Sequence, residues 1–165
     1  MNIFVLDKNP YTSAEMMCDA HVVKMIVESC QLLSTHDRLT KFIDKDDMRY
    51  KITHQHHPCR TCLKNMRNYI WLCSHLEGLL KEYTYRYNKI HSCNELFERY
   101  WKPYSLGFSG FVSLPKCMDE EFKTGGNSIE DVVLSYRNYY KHKMISMKRF
   151  TYKKRELPEW LKNKN

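Results

Sequence analysis

The chain has 165 residues, 42% of them hydrophobic and 13% aromatic, with 27 Lys and Arg against 19 Asp and Glu for a formal charge of +8. That apolar content excludes a disordered chain, and the length suits one domain around a single core. The charge points to an acidic partner, nucleic acid before a membrane surface. No stretch approaches the roughly 20 apolar residues of a membrane span. Asp7 and Lys8 end the opening apolar run before it resembles a signal peptide, so a soluble, cytoplasmic protein is expected.

Ile3-Phe4-Val5 reads as a short strand or an extended arm, and Asn9-Pro10-Tyr11 as a turn. A long helix is expected over residues 12–36, capped by Thr12 or Ser13 with Glu15 as capping-box partner. Along it His21, Lys24, Glu28, Gln31 and Thr35 recur at spacings of three and four and share one side. Val22, Val23, Ile26, Val27, Cys30 and Leu33 take the other. A fully solvated face is normally wider and richer in charge. A narrow stripe of His, Lys, Glu and Gln suits the wall of a cleft, and such groups move protons or attack carbon. An amphipathic helix turned to water accounts for the same pattern. Lys24 and Glu28 also read as an ordinary i, i+4 pair worth a few tenths of a kcal/mol.

Residues 41–58 are polar and aperiodic. They lead into His54, His57, Cys59 and Cys62, a single CxxC beside histidines, which permits a small zinc-binding interaction module. No second CxxC exists. The competing reading is a loop whose histidines reach a cleft or phosphates while the cysteines pack at a helix start. The seven cysteines are an odd number, and free, packed thiols are expected in a reducing compartment.

A second long helix is expected over residues 60–89 on the stripe Leu63, Met66, Ile70, Cys73, Leu76 and Leu80. Asn94 is placed to cap a short helix. Residues 103–126 hold Pro103, Pro115 and Gly125-Gly126 and read as a long ordered loop packed by Phe108, Phe111 and Leu114. Ser128 and Asp131 form a capping box that opens a third long helix. Residues 141–165 are basic and aromatic: Lys148, Arg149, Lys153, Lys154 and Arg155 beside Tyr152 and Trp160. Cations there suit phosphates and rings suit unpaired bases. The expected architecture is mainly α: a single domain over 1–165 with three long helices, a short N-terminal extended segment and a long ordered loop. No phosphate-binding loop, dinucleotide fingerprint or Gly-x-Ser-x-Gly elbow occurs, so NTP hydrolysis and Rossmann chemistry are disfavoured.

The run Met17-Cys18-Asp19-Ala20-His21, with Glu28 seven residues after His21, resembles the active-site helix of the endonuclease V type of pyrimidine-dimer DNA glycosylases of phages. Residues 68–88 resemble that family's second helix, and the stretch from Arg155 to Pro158-x-Trp160 its aromatic C-terminus. The resemblance covers about a third of the chain. It implies repair of damaged pyrimidines in duplex DNA within the host cytoplasm, with no metal, organic cofactor or obligate protein partner. It implies attack of an N-terminal amine on C1′, departure of the base, a Schiff base and β-elimination. Glu28 takes the place of the family carboxylate and His21 a positioning or DNA-contact role. The nucleophile is then the amine of Met1, or of Asn2 after methionine removal, with Lys24 as a second candidate. Two departures stand out. Asn2 disfavours methionine removal. The arginines that flank the family's Glu are replaced by Val27 and residues such as Gln31. DNA contacts are then expected from Gln31, His57, Arg60, Arg67, Arg137 and the C-terminal cations. A non-catalytic nucleic-acid-binding or host-takeover protein on the same fold is the alternative.

Overall fold

The computed structural model, described over residues 1–41, 43–100 and 114–162, is helical, with no strand among the described residues. In chain order the helices are α1 (Pro10–Glu15), α2 (Asp19–Thr40), α3 (Pro58–Thr61), α4 (Met66–Tyr87), α5 (Cys93–Phe97), α6 (Ile129–Ser146) and α7 (Glu159–Lys162). The three long helices anticipated from periodicity are α2, α4 and α6. No helix among the described residues is long and apolar enough to cross a membrane.

The first expected helix is two. Asn9, not Thr12 or Ser13, caps α1: its Oδ1 accepts the N–H groups of Tyr11 at 2.9 Å and Thr12 at 3.2 Å, and Pro10 supplies a preset φ at the first helical position. α1 ends at Met16. The chain then turns through an extended Cys18 before α2 begins. Arg86 on α4 holds this break. Its fully buried guanidinium donates to the carbonyls of Met17 (2.8 Å) and Glu15 (3.0 Å), and to the carboxylates of Glu82 (2.9 Å) and Asp19 (3.1 Å). The last carbonyl of α1, at Glu15, and that of Met17 just beyond it thus find a donor inside the protein. Asp19 also accepts the backbone N–H of Lys153 and the hydroxyl of Thr151, which fixes the C-terminal segment to the start of α2.

The second expected helix is also divided. A turn at α3 and a 3-10 turn (Cys62–Lys64) precede Asn65, whose extended backbone and side chain cap α4. α4 stops at Asn88 in the left-handed region (φ 53°), a conformation Asn tolerates. Gly78 lets α1 lie against α4, since a Cβ there would stand 3.0 Å from Ala14 Cβ and 3.3 Å from Tyr11 Cα. Asn94 lies inside α5 rather than capping it. Of the long loop, Leu114 is buried and Glu120–Phe122 forms a 3-10 turn, while Pro103, Phe108 and Phe111 lie outside the described residues. The Ser128–Asp131 capping box of α6 is present with both of its hydrogen bonds.

Residues 3–6 form the extended arm, buried yet without a sheet ladder. Buried backbone groups must still be paired, and side chains do it here. Ile3 N–H donates to Asn2 Oδ1 (2.8 Å) and Leu6 N–H to Ser13 Oγ (2.9 Å). Ser13 donates in turn to the Phe4 carbonyl (3.2 Å), and Arg137 to that of Leu6 (2.9 Å). Phe4 adopts φ 55°, a strained value for a non-glycine residue. It is clamped by rings: His21 stacks on it at 4.5 Å and Tyr139 at 5.8 Å, with Tyr140 edge-on at 5.6 Å. Tyr140 Oη accepts the Cys18 N–H (2.8 Å), which leaves its hydrogen for His21 Nδ1 (2.9 Å).

Burial, helped by the charges of Lys24 and Lys143, pushes the His21 pKa down to about 4. Burial alone pushes His75, stacked on Trp71, to about 3. Both rings are therefore neutral in the folded state, and the unfolded chain binds protons more readily. Their contribution is complete above the ordinary histidine value near 6.5 and is lost as pH falls, towards 4 for His21 and towards 3 for His75. Urea unfolding should show stability falling between pH 7 and 4.5, with a slope approaching about 1.4 kcal/mol per pH unit for each ring. His21→Asn should flatten that slope, and an unchanged slope would remove His21 from the account. At neutral pH, Arg86→Ala should cost about 3–5 kcal/mol, because it leaves the buried carbonyls of Glu15 and Met17 without their donor and Glu82 with Arg155 alone. Lys at this position cannot reach all four acceptors and should recover little of the loss.

Candidate active site

The stripe on α2 is narrower than its spacing predicts. His21 and Thr35 are buried, whereas Val23 is 39% exposed. Thr35 exchanges two hydrogen bonds with the backbone of Thr53 and so anchors the loop after α2. What remains open is Lys24, Glu28 and Gln31, with Lys24 well exposed and the other two half-buried.

Glu28 is the centre of this strip. Its Oε2 accepts the backbone N–H of Asn2 at 2.9 Å, and its Oε1 pairs with Lys24 at 3.3 Å. Asn2 is itself held on three sides: its amide donates to the Cys117 carbonyl (2.8 Å), its Oδ1 accepts from Ile3, and its N–H meets the carboxylate. The start of the chain is thereby fixed against the helix that carries Glu28. Met1 lies beside it in a cleft of about 490 Å³ whose walls include His57, Lys116, Cys117, Lys123 and Tyr139. A larger hollow of about 590 Å³ adjoins this groove and shares Pro115, Lys116 and Lys123 with it.

His57 caps α3 by accepting the Cys59 N–H at Nδ1 (3.1 Å). Burial holds its pKa below the ordinary value, and the positive amino terminus adds to the effect, while Glu28 opposes it. Cys59, fully buried, donates its thiol hydrogen to Cys117 Sγ at 3.4 Å. That bond makes Cys117 the more acidic of the two and pushes Cys59 up. His57, Cys59 and Cys117 have donor atoms within 4.8 Å of one another. The CxxC reading joined His57 and Cys59 to His54 and Cys62, and both of these stand outside the group. His54 is exposed and bonded to Thr53, and the Cys62 thiol donates to the Cys59 carbonyl. All seven cysteines are free thiols.

The cations expected at phosphates are dispersed. Arg60 is buried, with Nε on the Gln55 carbonyl at 2.6 Å. Arg137 binds the Leu6 carbonyl and Asp7 and lies over Trp160. Arg155 is engaged by Glu82 (2.5 Å) and Glu15 (3.5 Å). Lys154 donates to Tyr85 and Asn88 from an exposed position. Arg67, Lys148, Arg149 and Lys153 are exposed. Lys116 and Lys123, absent from the sequence expectation, line the groove. Lys116 Nζ donates to the carbonyls of Thr124 and Gly126, and Lys123 Nζ pairs with Glu120.

Cys117 and the two groove lysines lack any motif spacing. Tyr139 and Tyr140 on α6 belong to no motif either.

Searches of curated proteins and of solved structures return no match. The pyrimidine dimer DNA glycosylase family model matches residues 1–95, more than half of the chain, a span that includes Asn2, His21, Glu28 and His57. The chain therefore belongs to the pyrimidine dimer DNA glycosylase family, whose role is DNA repair and whose substrate is DNA.

Proposed function

We propose that this protein cleaves the N-glycosidic bond of a damaged pyrimidine in duplex DNA through an amine at the start of the chain. The observation that carries this reading is the 2.9 Å contact between Asn2 N and Glu28 Oε2. Removal of Met1 turns that nitrogen into the α-amine, already paired with the carboxylate. With Met1 retained, the amine sits one residue further along, in the cleft. An α-amine attacks through its unprotonated form. The amine lone pair attacks C1′, the C1′–N bond breaks, and the base leaves with that electron pair and takes up a proton. Opening of the sugar ring gives the iminium. Loss of a C2′ proton then expels the 3′ phosphate and breaks the strand. Glu28 offsets the positive charge that develops at C1′ and accepts or returns protons at the amine and the sugar. His21, buried under Phe4, acts as a positioning residue for the arm.

Exposed cations supply the duplex contact in this reading: Lys24 beside Glu28, and Lys148, Arg149 and Lys153 on the C-terminal segment. The replacement of the family arginines by Val27 and Gln31 favours a second reading, a DNA-binding protein without cleavage.

Borohydride trapping on a duplex carrying an abasic site or a pyrimidine dimer separates the two. The expected result is a covalent adduct that mass mapping places on Met1 or Asn2. An adduct on Lys24 moves the nucleophile into α2. Binding with neither adduct nor product supports the second reading. Glu28→Gln should lower turnover at least ~100-fold with DNA affinity nearly unchanged, and full activity in that variant would remove the mechanism. Lys148→Ala with Arg149→Ala should weaken binding to all duplexes alike and reduce the slope of log K against log salt by up to about 2. An unchanged slope would place the phosphate contacts elsewhere.

A further inference from the structure

We propose that His57, Cys59 and Cys117 form a zinc site that ties the loop containing Cys117 to the start of α3 beneath the head of the chain. The site asks nothing of the glycosylase chemistry and stands independently of it. Three observations carry it. The donor atoms of the three side chains lie within 4.8 Å of one another, although Cys117 comes from a segment far along the chain from the other two. The two sulfurs are 3.4 Å apart. In a tetrahedral zinc site, with Zn–S of about 2.3 Å, two sulfurs stand roughly 3.8 Å apart, so a few tenths of an ångström of opening admits the metal. The donor chemistry is also selective: two thiols and an imidazole suit zinc and reject magnesium or calcium.

Binding Zn²⁺ releases the two thiol protons to solvent, and the two thiolates balance the metal charge. His57 contributes one lone pair. A neutral imidazole has only one, so ligation through either nitrogen gives up the bond that His57 accepts from the Cys59 N–H. The cap of a four-residue helix is thus exchanged for a metal bond. His57 and Cys117 both line the cleft, while Cys59 is fully buried. The fourth position opens into the cleft, and water fills it. Asn2 donates to the Cys117 carbonyl. Fixing Cys117 therefore fixes the residue whose N–H meets Glu28.

The test uses the full chain, reduced and stripped with a chelator, then titrated with Zn²⁺ and, as an optical probe, with Co²⁺. One equivalent of zinc should bind and protect two thiols from a thiol reagent, a readout on the unmodified protein. Cobalt should give a sulfur-to-metal charge-transfer band with the strong visible absorption of a tetrahedral site. Cys117→Ser, at a half-buried position, should weaken zinc binding at least ~100-fold while the helical circular dichroism is retained. Cys62→Ser, outside the cluster, should bind as wild type does. Absence of the charge-transfer band at stoichiometric cobalt would overturn the site. So would zinc binding that survives Cys117→Ser or is lost equally in Cys62→Ser. A Cys59–Cys117 disulfide in a protein whose reduced form takes up no zinc would assign the sulfur pair to redox chemistry instead.

Discussion

The buried guanidinium of Arg86 is the constraint on which the geometry of the site depends. Four acceptors from three elements converge on it: two carbonyls where α1 ends, Asp19 where α2 begins, and Glu82 on its own helix. An arginine so placed can be neither deprotonated nor left unpaired, so the acceptors have to remain where they are. Buried ion pairs are weak evidence of net stability. Their effect here is to set register. With the break fixed at residues 16–18, the rotation of α2 about its axis is fixed as well. That rotation puts Glu28, and not one of its neighbours, against the N-terminal arm.

The arm answers from the other side. It is buried, irregular and strained at Phe4, a combination that costs free energy at every step. Three sets of contacts offset that cost. Ser13 bridges Leu6 and Phe4, three rings clamp the Phe4 side chain, and Arg137 donates to the Leu6 carbonyl. A strand in a sheet would have satisfied the same backbone more simply, but its ladder would direct Asn2 N–H to a neighbouring carbonyl. Side-chain pairing frees that N–H to point at a carboxylate. The strain and the site are therefore one feature.

Much of this was legible in the sequence. The 3.6-residue period marked the three long helices, and the Ser128–Asp131 box marked the start of α6. The seven-residue step from His21 to Glu28 located the strip that faces the chain start. The break before α2 was not legible, because Met16-Met17-Cys18 contains neither glycine nor proline; the turn is imposed by Arg86, some seventy positions away. The burial of His21 and Thr35 was hidden for a similar reason. Polar residues at helical spacing look solvated until the arm and the loop at Thr53 are seen to cover them. Cys117 has no local signature at all, since its partners are defined by tertiary approach and not by spacing.

The open stretch of α2 around Glu28 carries no arginine. Of the polar stripe on that helix three residues remain open, and two of them, Glu28 and Gln31, are half-buried. Cationic side chains line the cleft at Met1 from another segment, where Lys116 and Lys123 are held by carbonyls and by Glu120. A lysine is a point charge without the bidentate fork of arginine, so contacts of this kind favour affinity over fixed orientation of a phosphate. In the proposed reading, orientation of the damaged nucleotide then falls to the shape of the cleft and to the fixed start of the chain. That division makes the hold of Cys117 on Asn2 consequential, because a shift at the loop moves the amine relative to Glu28.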